Sequence, residues 1–181
     1  MTKKNIILSG VLILIALFAV GCLVSGTFVI VETFSFSTQS GFYSDAINLD
    51  GNSDWEEHKD KLDKVEIVGF ELWITNNEPE DWSFWAYMDD YDASCLSESC
   101  ADESSTKFLV FDTLTIPAST GTTGSTKYVS YVESFDYIQN LDKIREMVFD
   151  GSFNFFAYAT GANGGVVDSV RIIITVNASD T

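Results

Sequence analysis

The feature that most constrains this chain is a two-residue hydrophobic period that returns in segment after segment. Phe28, Ile30, Phe34 and Phe36 alternate with Val29, Val31, Thr33 and Ser35. Val68, Phe70, Leu72 and Ile74 form one face of a later segment, ended by Asn76-Asn77-Glu78-Pro79. Near the C-terminus Val170, Ile172, Ile174 and Val176 alternate with Ser169, Arg171, Ile173 and Thr175. Successive side chains of an extended strand point to opposite faces, so this period fits strands with one buried face. Residues 41–49, 82–88, 107–116, 127–132 and 153–159 read as further strands. The segment 82–88 is aromatic on both faces, which predicts a central strand. About eight strands with turn signals between them predict a mainly β fold, an antiparallel β-sandwich of immunoglobulin-like general architecture.

Two helices interrupt the pattern. Ser53-Asp54-Trp55-Glu56 reads as a capping box, with Trp55, Leu62 and Val65 on one helical face. The second helix runs from about 140 to 149, with Leu141, Ile144 and Val148 inward and Gly151 as its stop. Both lead into an aromatic strand. Leu62-Asp63-Lys64-Val65 and Leu141-Asp142-Lys143-Ile144 share a local pattern, which fits a duplicated helix–strand unit or merely similar cap chemistry.

The first two dozen residues have the order of an export signal. Lys3 and Lys4 precede an apolar run from Ile6 to Val20, followed by Ala19-Val20-Gly21-Cys22. This resembles the lipobox of bacterial membrane lipoproteins, with Ala19 where Leu is usual. The resemblance implies a diacylglyceryl group on the Cys22 thiol, an added N-acyl chain such as palmitate, and cleavage before Cys22. It divides the chain into a signal peptide (1–21), a lipidated N-terminus and short tether (22–26) and a β-sandwich domain (27–181). Two or more acyl chains anchor stably where one is marginal. The alternative is an uncleaved span over residues 6–24. Either way the remainder is exported and faces the periplasm or cell exterior. No Asp follows the cysteine, which favours the outer membrane where an organism has one. With Cys22 lipidated, Cys95 and Cys100 remain as an even pair in a polar loop, which predicts a disulfide in an oxidising compartment.

The charge balance narrows the partners. With 27 acidic against 10 basic side chains, the formal charge is −17. That excludes nucleic acid and a polybasic grip on anionic lipid as partners. The single imidazole, His58, lies among Glu56, Glu57, Lys59 and Asp60, a charged surface segment rather than a nucleophile's partner. No catalytic residue is assigned and the chain is read as a non-enzyme. A hydrolase using a carboxylate pair is the second alternative, because so many acids make chance pairs plentiful.

No cofactor is required by the pattern, with calcium as the one candidate. Asp89, Asp90 and Asp92 form an acidic knot at a strand end, and solubilising charge is the rival reading. Asp50, Asn52 and Asp54 place oxygens at alternate positions, where a turn and helix cap is the rival reading. Trp73, Trp82, Trp85 and Tyr87 cluster in two successive strands, and core filling competes with sugar stacking. Ser83, Trp85 and Tyr87 share one face, so Trp85 and Tyr87 are the candidate ligand residues. The mature domain resembles exported lipoproteins whose small β-sandwich has no assigned activity. The expected function is a lipid-anchored, non-catalytic envelope module that binds or assembles with a glycan or envelope protein. A carbohydrate-binding module is the first alternative.

Overall fold

The computed structural model describes residues 26–37, 41–120, 124–160 and 165–178. The signal segment 1–21, the lipidation site Cys22 and nearly all of the tether lie outside the described residues. Among the described residues no helix is long and apolar enough to cross a membrane.

Among the described residues eight strands follow one another as β1 (Gly26–Ser37), β2 (Phe42–Asn48), β3 (Leu62–Asn76), β4 (Trp82–Asp89), β5 (Phe108–Ile116), β6 (Ser125–Val129), β7 (Ser152–Ala159) and β8 (Gly165–Ala178). They build two four-stranded antiparallel sheets, in the orders β1-β8-β3-β6 and β2-β7-β4-β5. The sandwich expected from the period is present. Within it every neighbouring pair except β4–β5 is distant in sequence, the double Greek-key connectivity of a jelly roll. The segment with aromatics on both faces, β4, is central as expected.

The core lies between the sheets, where the alternation places it. Val68, Phe70, Leu72 and Ile74 of β3 and Ile172 and Ile174 of β8 face Trp82, Phe84 and Met88 of β4 and Val110, Phe111 and Leu114 of β5. Phe70 meets Phe111 edge-to-face across the gap, with ring centroids 5.8 Å apart. Asn76 is fully buried at the end of β3, and its Nδ2 donates to the carbonyls of Glu80 and Pro117, tying that end of the sandwich together.

Among the described residues four α-helices fill the connections: α1 (Ser53–His58), α2 (Glu98–Glu103), α3 (Tyr131–Ser134) and α4 (Leu141–Phe149). The expected helix 140–149 is α4, and its Ile144 and Val148 are buried. The first helix differs from expectation in two ways. Its cap is Asn52, whose Oδ1 accepts from the amides of Asp54 and Trp55. It also stops at His58, and a 3-10 turn (Lys59–Lys61) leads into β3 at Leu62. Leu62 and Val65 therefore sit in a strand, not on a helical face with Trp55. The cause is β8, which pairs with β3 from Leu62 onward and offers these residues ladder hydrogen bonds. Trp55 packs instead on Gly151, whose φ of +79° and lack of a side chain admit the indole. Strand 127–132 is likewise cut short: β6 ends at Val129 and α3 begins, capped by a box of Ser130 and Glu133.

Candidate functional site

On β4, Trp82, Phe84, Ala86 and Met88 point into the core and are buried, while Trp85 and Tyr87 point to the opposite face and are half-buried. Trp82 is therefore core, and Trp85 and Tyr87 share a separate surface. Register extends that surface across three strands. Phe42 and Trp85 both lie opposite Tyr158, and Ser44 and Tyr87 both lie opposite Phe156. The outer face of the second sheet thus carries one row of Phe42, Tyr158 and Trp85 and, beside it, Phe156 and Tyr87. The rings of Trp85 and Tyr158 are nearly parallel, 7° apart with centroids at 5.7 Å. Phe42 and Tyr87 meet Tyr158 edge-on at 5.0 and 5.6 Å. Trp73, by contrast, lies on the first sheet, against Tyr128.

Part of this face is covered by the connection between β4 and β5. The expected disulfide Cys95–Cys100 is formed and closes the tip of that connection. Cys95 and Ala101 pack on Phe156 and Tyr158 as a second, small apolar cluster. Polar groups sew its margin. Asn154 Nδ2 donates to the carbonyls of Asp92 and Cys95, and Ser44 Oγ to that of Leu96 at 2.6 Å. The Tyr158 hydroxyl donates to Asp102 Oδ1 at 2.9 Å. Lys107 Nζ donates to the same oxygen at 3.2 Å and lies 4.8 Å above the Tyr87 ring and 5.3 Å above that of Tyr158. Burial, then the bond to Asp102, raises the Tyr158 hydroxyl above the usual phenol range. The donors Tyr158 and Lys107 hold the Asp102 carboxyl below the usual carboxylate range. Under this cover Phe156 and Tyr158 are buried, so the open part of the face is Phe42, Trp85 and Tyr87, half-buried, with Lys107 and Asp102 beside them.

The acidic residues are placed differently. Asp89 is buried, and its Oδ1 accepts from the Asp90 amide and, at 2.6 Å, from the Thr106 hydroxyl. Asp92 Oδ1 accepts from the amide and hydroxyl of Ser94, which lowers its pKa. These three aspartates and Glu103 line one hollow of about 350 Å³. At the other candidate, Asn52 caps α1, and Asp50 pairs with Lys59 at 3.2 Å. Among the described residues no group of three or more His, Cys, Asp and Glu side chains is placed to hold a metal ion. His58 is half-buried on α1.

Five residues of the site were missed in the sequence: Phe42, Phe156 and Tyr158, which only the register sets beside Trp85 and Tyr87, Asp102, and Lys107, which read as the first residue of a strand. The signal for Tyr158 was present in Phe153-Asn154-Phe155-Phe156-Ala157-Tyr158, where both faces are apolar and both must therefore be covered.

No family model matches the chain, and no curated protein matches it. It is similar to a structure of Desmodium yellow mottle tymovirus, with a TM-score of 0.33 and 11% identity over 86% of this chain and 90% of that one. A carbohydrate binding module from glycoside hydrolase family 9 (Cel9A) of Ruminococcus flavefaciens FD-1 is similar with a TM-score of 0.35 and 10% identity, over 83% of this chain and 97% of that one. Turnip Yellow Mosaic Virus gives a TM-score of 0.30 and 9% identity, over 86% and 96%. At scores of this size none of the three bears on function.

Proposed function

We propose that the chain is a non-catalytic binding module, exported and held at a membrane by lipid on Cys22, that takes up carbohydrate on the outer aromatic face of its second sheet. The observation that supports this is the row Phe42, Tyr158 and Trp85. Three neighbouring strands set aromatic rings on a face turned away from the core, and Phe42 and Trp85 remain half-exposed there. Tyr158, buried between them, holds these rings in place; the apolar face of a sugar ring packs on the half-exposed Trp85 or Phe42, and its hydroxyls find the Asp102 carboxylate and Lys107 ammonium beside them. The charge of −17 repels polyanions, so the glycan is neutral or weakly charged. The order of charge, apolar run and cysteine in residues 3–22 supports export and lipidation, and a disulfide persists best in an oxidising compartment.

Tryptophan emission followed during addition of neutral polysaccharides and peptidoglycan fragments tests the binding role. The expected result is a saturable shift with wild type that Trp85→Ala abolishes. A blank across all of them, or a shift that survives Trp85→Ala in full, removes the carbohydrate reading. The anchor is tested apart from it: Cys22→Ser protein is expected to leave the lipid-modified membrane fraction, and unchanged mobility and fractionation would show a retained span over residues 6–24.

A further inference from the structure

We infer that the anchor fixes how the domain stands: the end carrying α1 faces the bilayer, and the opposite end points away from it. This rests on the anchoring proposed above. It holds equally for a lipid on Cys22 and for a retained span, because the chain leaves the bilayer at the same place in both.

The argument is one of strand direction and reach. Three residues, Leu23, Val24 and Ser25, separate Cys22 from Gly26, where β1 begins. Extended chain covers at most about 3.5 Å per residue, so Gly26 stays within about 14 Å of the lipidated cysteine. Gly26 pairs with Ala178, and Ala178 with Leu62, so the start of β1, the end of β8 and the start of β3 share one end of the first sheet. The second sheet follows. Asn48, at the end of β2, pairs with Ser152, and the Leu49 amide next to it donates to the Gly151 carbonyl at 2.8 Å. Asp89, at the end of β4, pairs with Asn154. α1 and the start of the loop after Asp89 therefore belong to the anchored end, while the tip of that loop folds back along the outer face onto Phe156 and Tyr158.

The far end lies out of the tether's reach. β3 runs 15 residues from Leu62 to Asn76, a rise of about 45 Å at strand geometry. The connections between β3 and β4 and between β5 and β6 lie there, where Asn76 bonds to Glu80 and Pro117. Tyr158 is six residues along β7 from Ser152, about 20 Å from the anchored end, which lifts the aromatic row clear of lipid headgroups. The anchored end does not adhere to anionic lipid. Asp50, Asp54, Glu56 and Glu57 are exposed there, and the nearby Lys59 is already paired with Asp50 and Glu56. Repulsion holds the domain upright at the limit of its tether.

Energy transfer to the bilayer surface tests this on the full-length protein, purified from membranes and reconstituted in phosphatidylcholine–phosphatidylglycerol vesicles that carry a headgroup acceptor. A donor dye is attached at Glu57→Cys on α1 or at Glu80→Cys at the far end, both exposed positions. Transfer is expected to be several-fold more efficient from position 57 than from position 80. Co-flotation with equal or reversed transfer overturns the orientation while leaving the anchor intact. Protein that fails to float with the vesicles overturns the anchor and the orientation with it.

Discussion

Trp82 and Trp85 stand three residues apart on β4 and face opposite ways. Trp82 is 1% exposed in the core, and its indole nitrogen has no hydrogen-bond partner among the described residues, so its contribution is apolar burial. Trp82→Ala is expected to cost about 3–5 kcal/mol, the range for deleting a buried aromatic. Trp85→Ala removes a half-buried ring from an outer face and should cost much less. Urea denaturation of both variants checks the contrast, and a comparable fall in midpoint would show that Trp85 is core. Gly69 gives a second residue-scale prediction. A Cβ there would run into the Tyr131 ring, so Gly69→Ala must displace the ring by which α3 rests on β3. Overpacking of this kind costs about 1–3 kcal/mol. The double variant with Tyr131→Ala should be less destabilised than the two single changes predict together, because the clash is gone.

The element that most shapes the site is the disulfide-closed connection between β4 and β5. Its tip is a small ring, Cys95 to Cys100, with a sequence separation of 5. Replacing both cysteines by serine is expected to cost about 2 kcal/mol by the loop-entropy estimate. Amide exchange should then quicken in residues 92–107 before it does in the sheets. Acid acts on the same element through Asp102. Its folded pKa is depressed, so its contribution is present above the ordinary carboxylate pKa and lost as pH falls through the folded value. Exchange in 92–107 should therefore be flat, after correction for intrinsic rates, from pH 7 to 5 and rise below about pH 4. A rise that begins near pH 6 would point to another group.

For the whole molecule the governing quantity is charge. An excess of 17 acidic groups destabilises the compact state by self-repulsion, and salt screens it. Raising sodium chloride from about 10 to 150 mM, which shortens the Debye length from about 30 to 8 Å, is expected to raise the melting temperature. Calcium at matched ionic strength separates screening from a site: a shift beyond sodium's would mark binding at Asp89, Asp90 and Asp92 or at Asp50, Asn52 and Asp54. No rise with sodium chloride would mean that local ion pairs outweigh the long-range repulsion.

The class of fold is legible in the residues alone, because a two-residue period can bury its apolar face only in a sheet. The residues also determined that β4 is central, since both its faces are apolar, and they paired Cys95 with Cys100. Local pattern decided less. Leu62-Asp63-Lys64-Val65 is strand and Leu141-Asp142-Lys143-Ile144 is helix, although the four residue types nearly coincide. What separates them is tertiary: β8 lies alongside the first and supplies a ladder, while the second buries Ile144 in the core and, among the described residues, no strand pairs with it. Ser130-Tyr131-Val132-Glu133 carried a legible capping box, yet the strand pattern before it masked the signal. Strand order, and with it the jelly-roll connectivity, is set by which distant strands meet, and no local period encodes that. The candidate site divides the same way. Trp85 and Tyr87 were legible as one face of one strand. Their neighbours Phe42 and Tyr158 come from strands 43 and 73 residues from Trp85, and only cross-strand register places four rings on one surface.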